Sequence, residues 1–431
     1  MTSFDDPRAV APVDASLSAP RPSAARRAVA AVFLLQGFVI GSWALHVPFT
    51  IERLGITESD MGLMIVMFGL GSVIAMGLLG VVLPRTGSLP VARLSVAASS
   101  LFVIGLATTP TYAWTLVAAP VLSGIIGVAS VAMNAQGVEV ERRAGASLMS
   151  SFHGFWSMGI LVGSLAGGFA ADRFGPVPHA LGVLAIGLAA SALAWPHLVD
   201  DRGAGKGGGG RFALPRAPAV WVLGLVTLFA FSLDGAAIDW SALLMRQDVG
   251  APVWLWGWPL AALQGVMMAM RFAGDGVRDR FGPVPLLRWG GVLAAAGFAL
   301  AGAAGLEALA HLSVGARAGL AVAGFAIAGA GLANIVPVAL SLAGRVRGVD
   351  PGTALAVVSA HGHLGILFMP ASIGWAGEHV GFGATFAGLA ALPLAIALLA
   401  PVGRAAHGGV ADGGAADGEG GAGATDAAGR R

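Results

Sequence analysis

The chain has 431 residues, of which 56% are hydrophobic and only 11% charged, with a formal net charge of +2 and a mean hydropathy of +0.80. Soluble domains carry about 25% charge, so this chain cannot clothe a water-facing surface; disorder, collagen and a nucleic-acid partner are excluded on the same numbers. With no cysteine, there is no disulfide framework, thiolate metal site or cysteine nucleophile.

In chain order, residues 1–26 hold Asp5, Asp6, Asp14 and four prolines without an apolar core, and read as a cytosolic tail rather than a cleavable signal peptide. Apolar runs near the roughly 20 residues that cross about 30 Å of hydrocarbon then predict twelve spans. They lie near 28–47, 60–83, 89–109, 112–136, 147–171, 178–197, 218–242, 253–276, 285–304, 317–343, 353–377 and 383–402. Spans of this length should be helices, because lipid offers backbone groups no water. Residues 198–216, with the run Gly207 to Gly210, read as a cytosolic linker between six-helix halves at 27–197 and 217–403, and the Gly, Ala and Asp-rich 404–431 as a disordered tail.

If both termini face the cytoplasm, 21 of the 25 Lys and Arg residues fall on that side and only Arg53, Arg173, Arg246 and Arg317 on the other. This satisfies the positive-inside rule and supports an even span count. Trp114, Trp240, Trp254, Trp256 and Trp258 then lie at outer ends and Trp195, Trp221 and Trp289 at inner ends, as expected of interfacial rings.

One short pattern recurs four times: GVVLPRTG at 80–87, GFAADRFG at 168–175, GDGVRDRFG at 274–282 and GWAGEHVG at 374–381. Each copy falls between the second and third helix of a predicted triplet, and the closing glycines are 88, 107 and 99 residues apart. The expected fold is therefore an all-α membrane protein of twelve transmembrane helices, in two six-helix halves built from inverted three-helix repeats. Inverted repeats belong to carriers that expose a midplane site to either side in turn.

These loops resemble the signature of the major facilitator superfamily over residues 28–403. More narrowly, LLQGFVIGSWALHVP from Leu34, MNAQGVEVERR from Met133, SSFHGFWSMG from Ser150, DGAAIDWSALLMR from Asp234, RFAGDGVRDRFGP from Arg271 and NIVPVALSLAGR from Asn334 are similar to a bacterial branch related to sugar permeases, distantly similar to the fucose/proton symporter. Pro84 stands where the family's first loop has an acid, and GSLAGG from Gly163 resembles the antiporter signature with Ser164 in place of proline. The resemblance implies an inner-membrane carrier driven by an ion gradient, with protons favoured as the coupling ion. Its expected partners are a small polar solute, protons and the lipid bilayer; it is expected to be monomeric, with no cofactor and no enzymatic activity. Efflux by proton antiport and a non-transporting solute sensor are the competing classes. The P-loop pattern is missing, the one lysine, Lys206, being followed by Gly207.

Ionisable residues inside a span cost about 3 kcal/mol or more, so each invites a functional reading. Asp234, about 16 residues into the seventh span, is the first candidate for proton coupling, since hydrocarbon disfavours a charged carboxyl. Its bland alternative is a structural pair in a wet vestibule. His153, the second coupling candidate, lies one turn from Trp156 and near Ser150 and Ser157, a set able to hold a polyol; the alternative is a histidine bonded to a neighbouring carbonyl. Gln36, Trp43, Asn134, Gln136, Gln264, Asn334 and His361 complete the candidate solute set. Glu139, beside Arg142 and Arg143, is a third coupling candidate whose default is a solvated loop charge. Arg85, Arg271, Asp275, Asp279 and Arg280 are expected in gates. His361 and His363, about 200° apart on a helix, should not chelate one metal.

Overall fold

Without water to satisfy its peptide groups, an apolar chain of this kind must close every backbone hydrogen bond within itself. In the computed structural model the described residues are 22–146, 148–201, 214–272 and 282–403, and among them every regular element is helical. The helices before residue 201 are α1 (Pro22–Ala44), α2 (His46–Leu54), α3 (Glu58–Thr86), α4 (Ser88–Ser99), α5 (Leu101–Ala107), α6 (Tyr112–Ala144), α7 (Met149–Phe174) and α8 (Pro176–Ala194). After residue 214 come α9 (Pro218–Leu243), α10 (Trp258–Phe272), α11 (Pro283–Ala303), α12 (Val314–Leu332), α13 (Ile335–Ala343), α14 (Pro351–Leu389) and α15 (Ala391–Leu399).

These helices supply eleven stretches long and apolar enough to cross a membrane. The last, Pro351–Leu399, runs for 49 residues. At about 1.5 Å per residue that is roughly 74 Å, more than twice the hydrocarbon thickness. It is not one straight rod, because Gly381 breaks the helical backbone at φ 82°, ψ 157°.

Gly381 has three counterparts. Gly87 (φ 72°, ψ 170°), Gly175 (φ 88°, ψ 167°) and Gly282 (φ 73°, ψ 170°) adopt the same conformation, each just before a helix. All four are the closing glycines of the recurrent sequence pattern. That corner of backbone space is closed to residues with a Cβ, which explains why the closing glycine is the one identical residue that all four copies keep in register. The rest of the third copy, 274–281, lies outside the described residues.

The helices before 201 pack mainly on one another, through α1 with α7, α3 with α6 and α4 with α6; those after 214 do likewise through α9 with α14 and α11 with α12. Two seams join the sets, α3 against α14 and α7 against α10. Glycine brings backbones together: a Cβ on Gly159 or Gly163 would collide with the carbonyls of Leu34 and Phe38, and one on Gly37 with that of Trp156. The four-residue glycine spacing on α7 is thus the face laid against α1. Small residues serve this purpose in bilayers because close van der Waals packing replaces the missing hydrophobic drive.

Backbone conformation and space can be separated by experiment. Nothing lies within 4 Å of a Cβ on either Gly175 or Gly182, but only Gly175 has positive φ. Gly175→Ala should lower stability in detergent by about 1–3 kcal/mol, whereas Gly182→Ala, inside α8, should be neutral or stabilising by up to about 1 kcal/mol. Thermal melts of the two variants decide; equal melting temperatures would refute the backbone explanation.

Candidate functional site

Three helices bring polar groups to one place in an otherwise apolar interior. On α10, Gln264 and Arg271 are seven residues apart and share a face; α9 supplies Asp234, and α7 supplies His153 and Ser157 one turn apart. The Gln264 Nε2 donates to Asp234 Oδ1 at 2.9 Å. Arg271 Nη1 donates to Ser157 Oγ at 2.5 Å, and Ser150 Oγ donates to the Arg271 carbonyl at 3.2 Å. Arg271 also lies within the electrostatic reach of Asp234 and of His153, and His153 stands edge-on to Phe33, with ring centroids 5.3 Å apart.

The cluster therefore holds one carboxyl, one guanidinium, an imidazole, a hydroxyl and an amide, shared between α7 of one helix set and α9 and α10 of the other. The Gln264 amide turns its nitrogen toward Asp234, whose carboxyl oxygen accepts. Its own Oε1 is left buried without a hydrogen-bond partner, in a side chain that is 0% exposed. A buried acceptor left unpaired costs about 1–3 kcal/mol.

The other sequence candidates are distributed differently. Gln36 donates to Ser99 Oγ at 2.6 Å. Gln136 is spent on Ser88 Oγ and on both backbone groups of Val199, at 2.7–2.9 Å. Glu139 is clamped by Arg142 and Arg143 at 2.7 and 2.6 Å, and Asn134 donates to the Ser130 carbonyl at 2.8 Å. His361 bonds the Val357 carbonyl at 2.8 Å and meets Trp221 edge-on. Trp43 is buried between Phe68 and Phe102; its indole faces Asp239 outside hydrogen-bonding geometry, so its N–H is unpaired. Trp156 is half-buried against the core, and Asn334 sits at the break between α12 and α13. Arg85 is exposed; Asp275, Asp279 and Arg280 lie outside the described residues. Arg271, expected in a gate, has its guanidinium at Ser157 across the seam between α7 and α10, a contact the sequence did not announce although the seven-residue interval to Gln264 carried a hint of it.

At the face that carries α2, the two helix sets are tied together. Arg246 bonds Glu52 at 2.8 Å and the Pro48 carbonyl at 2.8 Å. Gln247 reaches Glu58 at 2.6 Å, and the Ser59 N–H donates to Glu378 at 3.1 Å. Phe49 packs on Trp256 and Phe169 stacks on Trp254, while Gly257 lies against the backbone of Ser164. Beside this seal, a pocket of about 320 Å³ is lined by His46, Glu52 and Arg53 among others. His46 Nε2 and His179 Nδ1 are 3.0 Å apart there, with the rings stacked.

Two outcomes follow from that face. The Arg246–Glu52 pair is partly exposed, and such pairs are worth about 1 kcal/mol at most, a factor of about five in an equilibrium. In this cysteine-free chain, a Ser164→Cys reporter should therefore label up to about five-fold faster with a membrane-impermeant maleimide when Arg246→Ala is added; an unchanged rate would mean the pair does not hold the face shut. Burial, with His179 and Arg53 adding to it, holds His46 down at about 3, against about 6.5 in an unfolded chain. Between those values the unfolded chain takes up a proton that the folded one refuses, so stability present above pH 6.5 is lost on acidification, by up to about 2 kcal/mol at pH 5. His46→Asn should flatten the decline in melting temperature from pH 7.5 to 5; a parallel decline would contradict this.

The model of the Major Facilitator Superfamily matches residues 28–316. An uncharacterised MFS-type transporter of Yersinia pestis is 30% identical over 371 residues, which cover 85% of this chain and 92% of that protein. An uncharacterised transporter of Sinorhizobium fredii is 28% identical over 380 residues, covering 87% and 97%. Among solved structures, a mutant of the nucleoside transporter NupG superposes with a TM-score of 0.68 at 14% identity, over 87% of this chain and 98% of that one. The chain thus belongs to the Major Facilitator Superfamily and is a multi-pass membrane transporter, not an enzyme.

Proposed function

We propose that this transporter moves a small polar, sugar-like organic solute across the bacterial inner membrane by alternating access, as a proton symporter with Asp234 as the coupling group. The observation that carries the reading is the polar cluster shared between α7, α9 and α10: a solute bound there touches both helix sets, so its binding energy can bias their relative arrangement. Twelve crossings in four inverted triplets are the architecture that goes with it. Support comes from the break at Gly381 within the 49-residue stretch and from the shared conformation of the four closing glycines. With both termini cytoplasmic, the sealed α2 face is the outer one and the chain is closed to the exterior. The solute then binds and leaves by way of the cluster, while the Arg246, Gln247 and Glu378 contacts open and re-form.

Proteoliposomes test this directly. With an imposed inward proton gradient, the wild-type protein should accumulate solute and lose the accumulated pool when the gradient is collapsed. Asp234→Asn, close in size, should remain folded yet lose accumulation by at least about tenfold. Full gradient-driven uptake by that variant would remove Asp234 from coupling, and exclusion of solute in place of uptake would reverse the direction assigned.

A further inference from the structure

We infer that Arg271 recognises an anionic group of the cargo, and that the cargo is a small hydroxylated organic acid, singly negative, taken up together with one proton. The inference rests on the carrier reading above and names the solute class of the same site. Arg271 offers five N–H donors, and among the described residues only Ser157 takes a hydrogen bond from its side chain. Asp234 is near enough to balance its charge, but its carboxyl accepts from the Gln264 amide. Planar guanidinium groups suit carboxylates, which they grip with two parallel bonds. Two turns along the same helix face, the orphaned Gln264 Oε1 asks for a donor, which a cargo hydroxyl would supply. A neutral polyol would answer Gln264 and leave the guanidinium's donors unused; a simple carboxylate would do the reverse. A hydroxy acid satisfies both, and its single negative charge is the one the balance below requires.

Charge balance links this cargo to the proton. Empty, the cluster holds Asp234 negative and Arg271 positive. Loaded, the cargo's negative charge replaces that of Asp234, which takes up a proton, so the net charge is zero in both states. Both states can then rearrange without carrying charge through hydrocarbon. Facing Asp234 are Arg271 and Gln264 from α10 and Asp239 on α9 itself. Of the ionisable groups on the other elements packed against α9, His361 and His363 bond carbonyls of their own helix, Arg317 the Asp248 and Ala304 carbonyls, Arg246 Glu52, and His46 His179; Asp248 accepts from the Gly383 N–H and Glu378 from the Ser59 N–H, and Arg26 and Arg27 on α1 are exposed. Arg53 is held by Thr109 and Leu106.

The test uses matched probes on the full chain in detergent and in proteoliposomes: gluconate and glucuronate against sorbitol, glucose and uridine. The acids should raise the melting temperature saturably and be accumulated under a pH gradient, with uptake indifferent to a potassium–valinomycin potential. Arg271→Lys, which keeps the charge but not the fork, should weaken acid binding about tenfold, and Arg271→Gln should abolish it. Asp234→Asn should retain exchange of acid for acid while losing net uptake, since its empty form is left with a positive charge. If the neutral probes are accumulated and the acids are not, the carrier stands and the anion assignment falls. Acids that bind but are never moved would sink the carrier reading and leave Arg271 to be judged on binding alone. Failure of the acids to bind, or acid binding undiminished in both Arg271 variants, overturns the inference.

Discussion

A charge in hydrocarbon is tolerated only beside its opposite, and the centre of this protein is organised around that constraint. Asp234 and Arg271 sit on neighbouring helices of one set, but Arg271 is anchored to Ser157 on the other. A single long side chain therefore ties the charge balance of the interior to the relation between the two sets. Anything that alters the charge on Asp234, or offers Arg271 another anion, acts on the seam between α7 and α10 as well as on the local hydrogen bonds.

Glycine makes such a seam serviceable in two separate ways. Along α7 it removes side chains where α1 must come close, setting α7 firmly within its own set. At Gly87, Gly175, Gly282 and Gly381 it permits a backbone turn that no other residue adopts without strain. Under the alternating-access reading proposed above, firm helices joined by strict turns would rock rather than bend, with displacement concentrated where the sets meet, chiefly at α3 with α14 and α7 with α10.

Hydropathy made the helices legible because a bilayer imposes a length and forbids charge, and both requirements are written locally. The recurrent glycines were legible for a similar reason, a backbone conformation that only one residue type accepts. The site was legible in residue type but not in partnership. Depth along a span can be counted, and it places Gln36, Gln264 and His361 near the midplane and Asp234 to one side of it; the direction in which a side chain faces cannot be counted. Gln136 looks as promising as Gln264 in sequence, yet its amide is consumed by Ser88 and by the chain turning away at Val199, 63 residues on. Arg271 shows the same limit. Its place near the end of a span suggested a gate, and position alone does not reveal that its guanidinium, on a long flexible stem, reaches Ser157 on the other helix set.

The seal at the α2 face can be weighed against the central cluster. Its ion pair is 29% and 65% exposed on its two sides, and its remaining ties are single hydrogen bonds, each worth about 1 kcal/mol, with a few aromatic contacts. None is strong enough to lock the face permanently, and together they amount to only a few kcal/mol. Carriers need that proportion, because a ligand can shift an equilibrium only by its differential affinity for the two states, and moving a population from 1:99 to 99:1 takes about 5.5 kcal/mol. On the reading proposed above, a charge-assisted clamp on Arg271, a newly satisfied Gln264 acceptor and a proton on Asp234 would lie in that range, each charged hydrogen bond contributing about 1.5–3 kcal/mol. The weak contacts therefore belong at the rim and the strong ones at the centre; with that order reversed, cargo could bind without ever moving the helices.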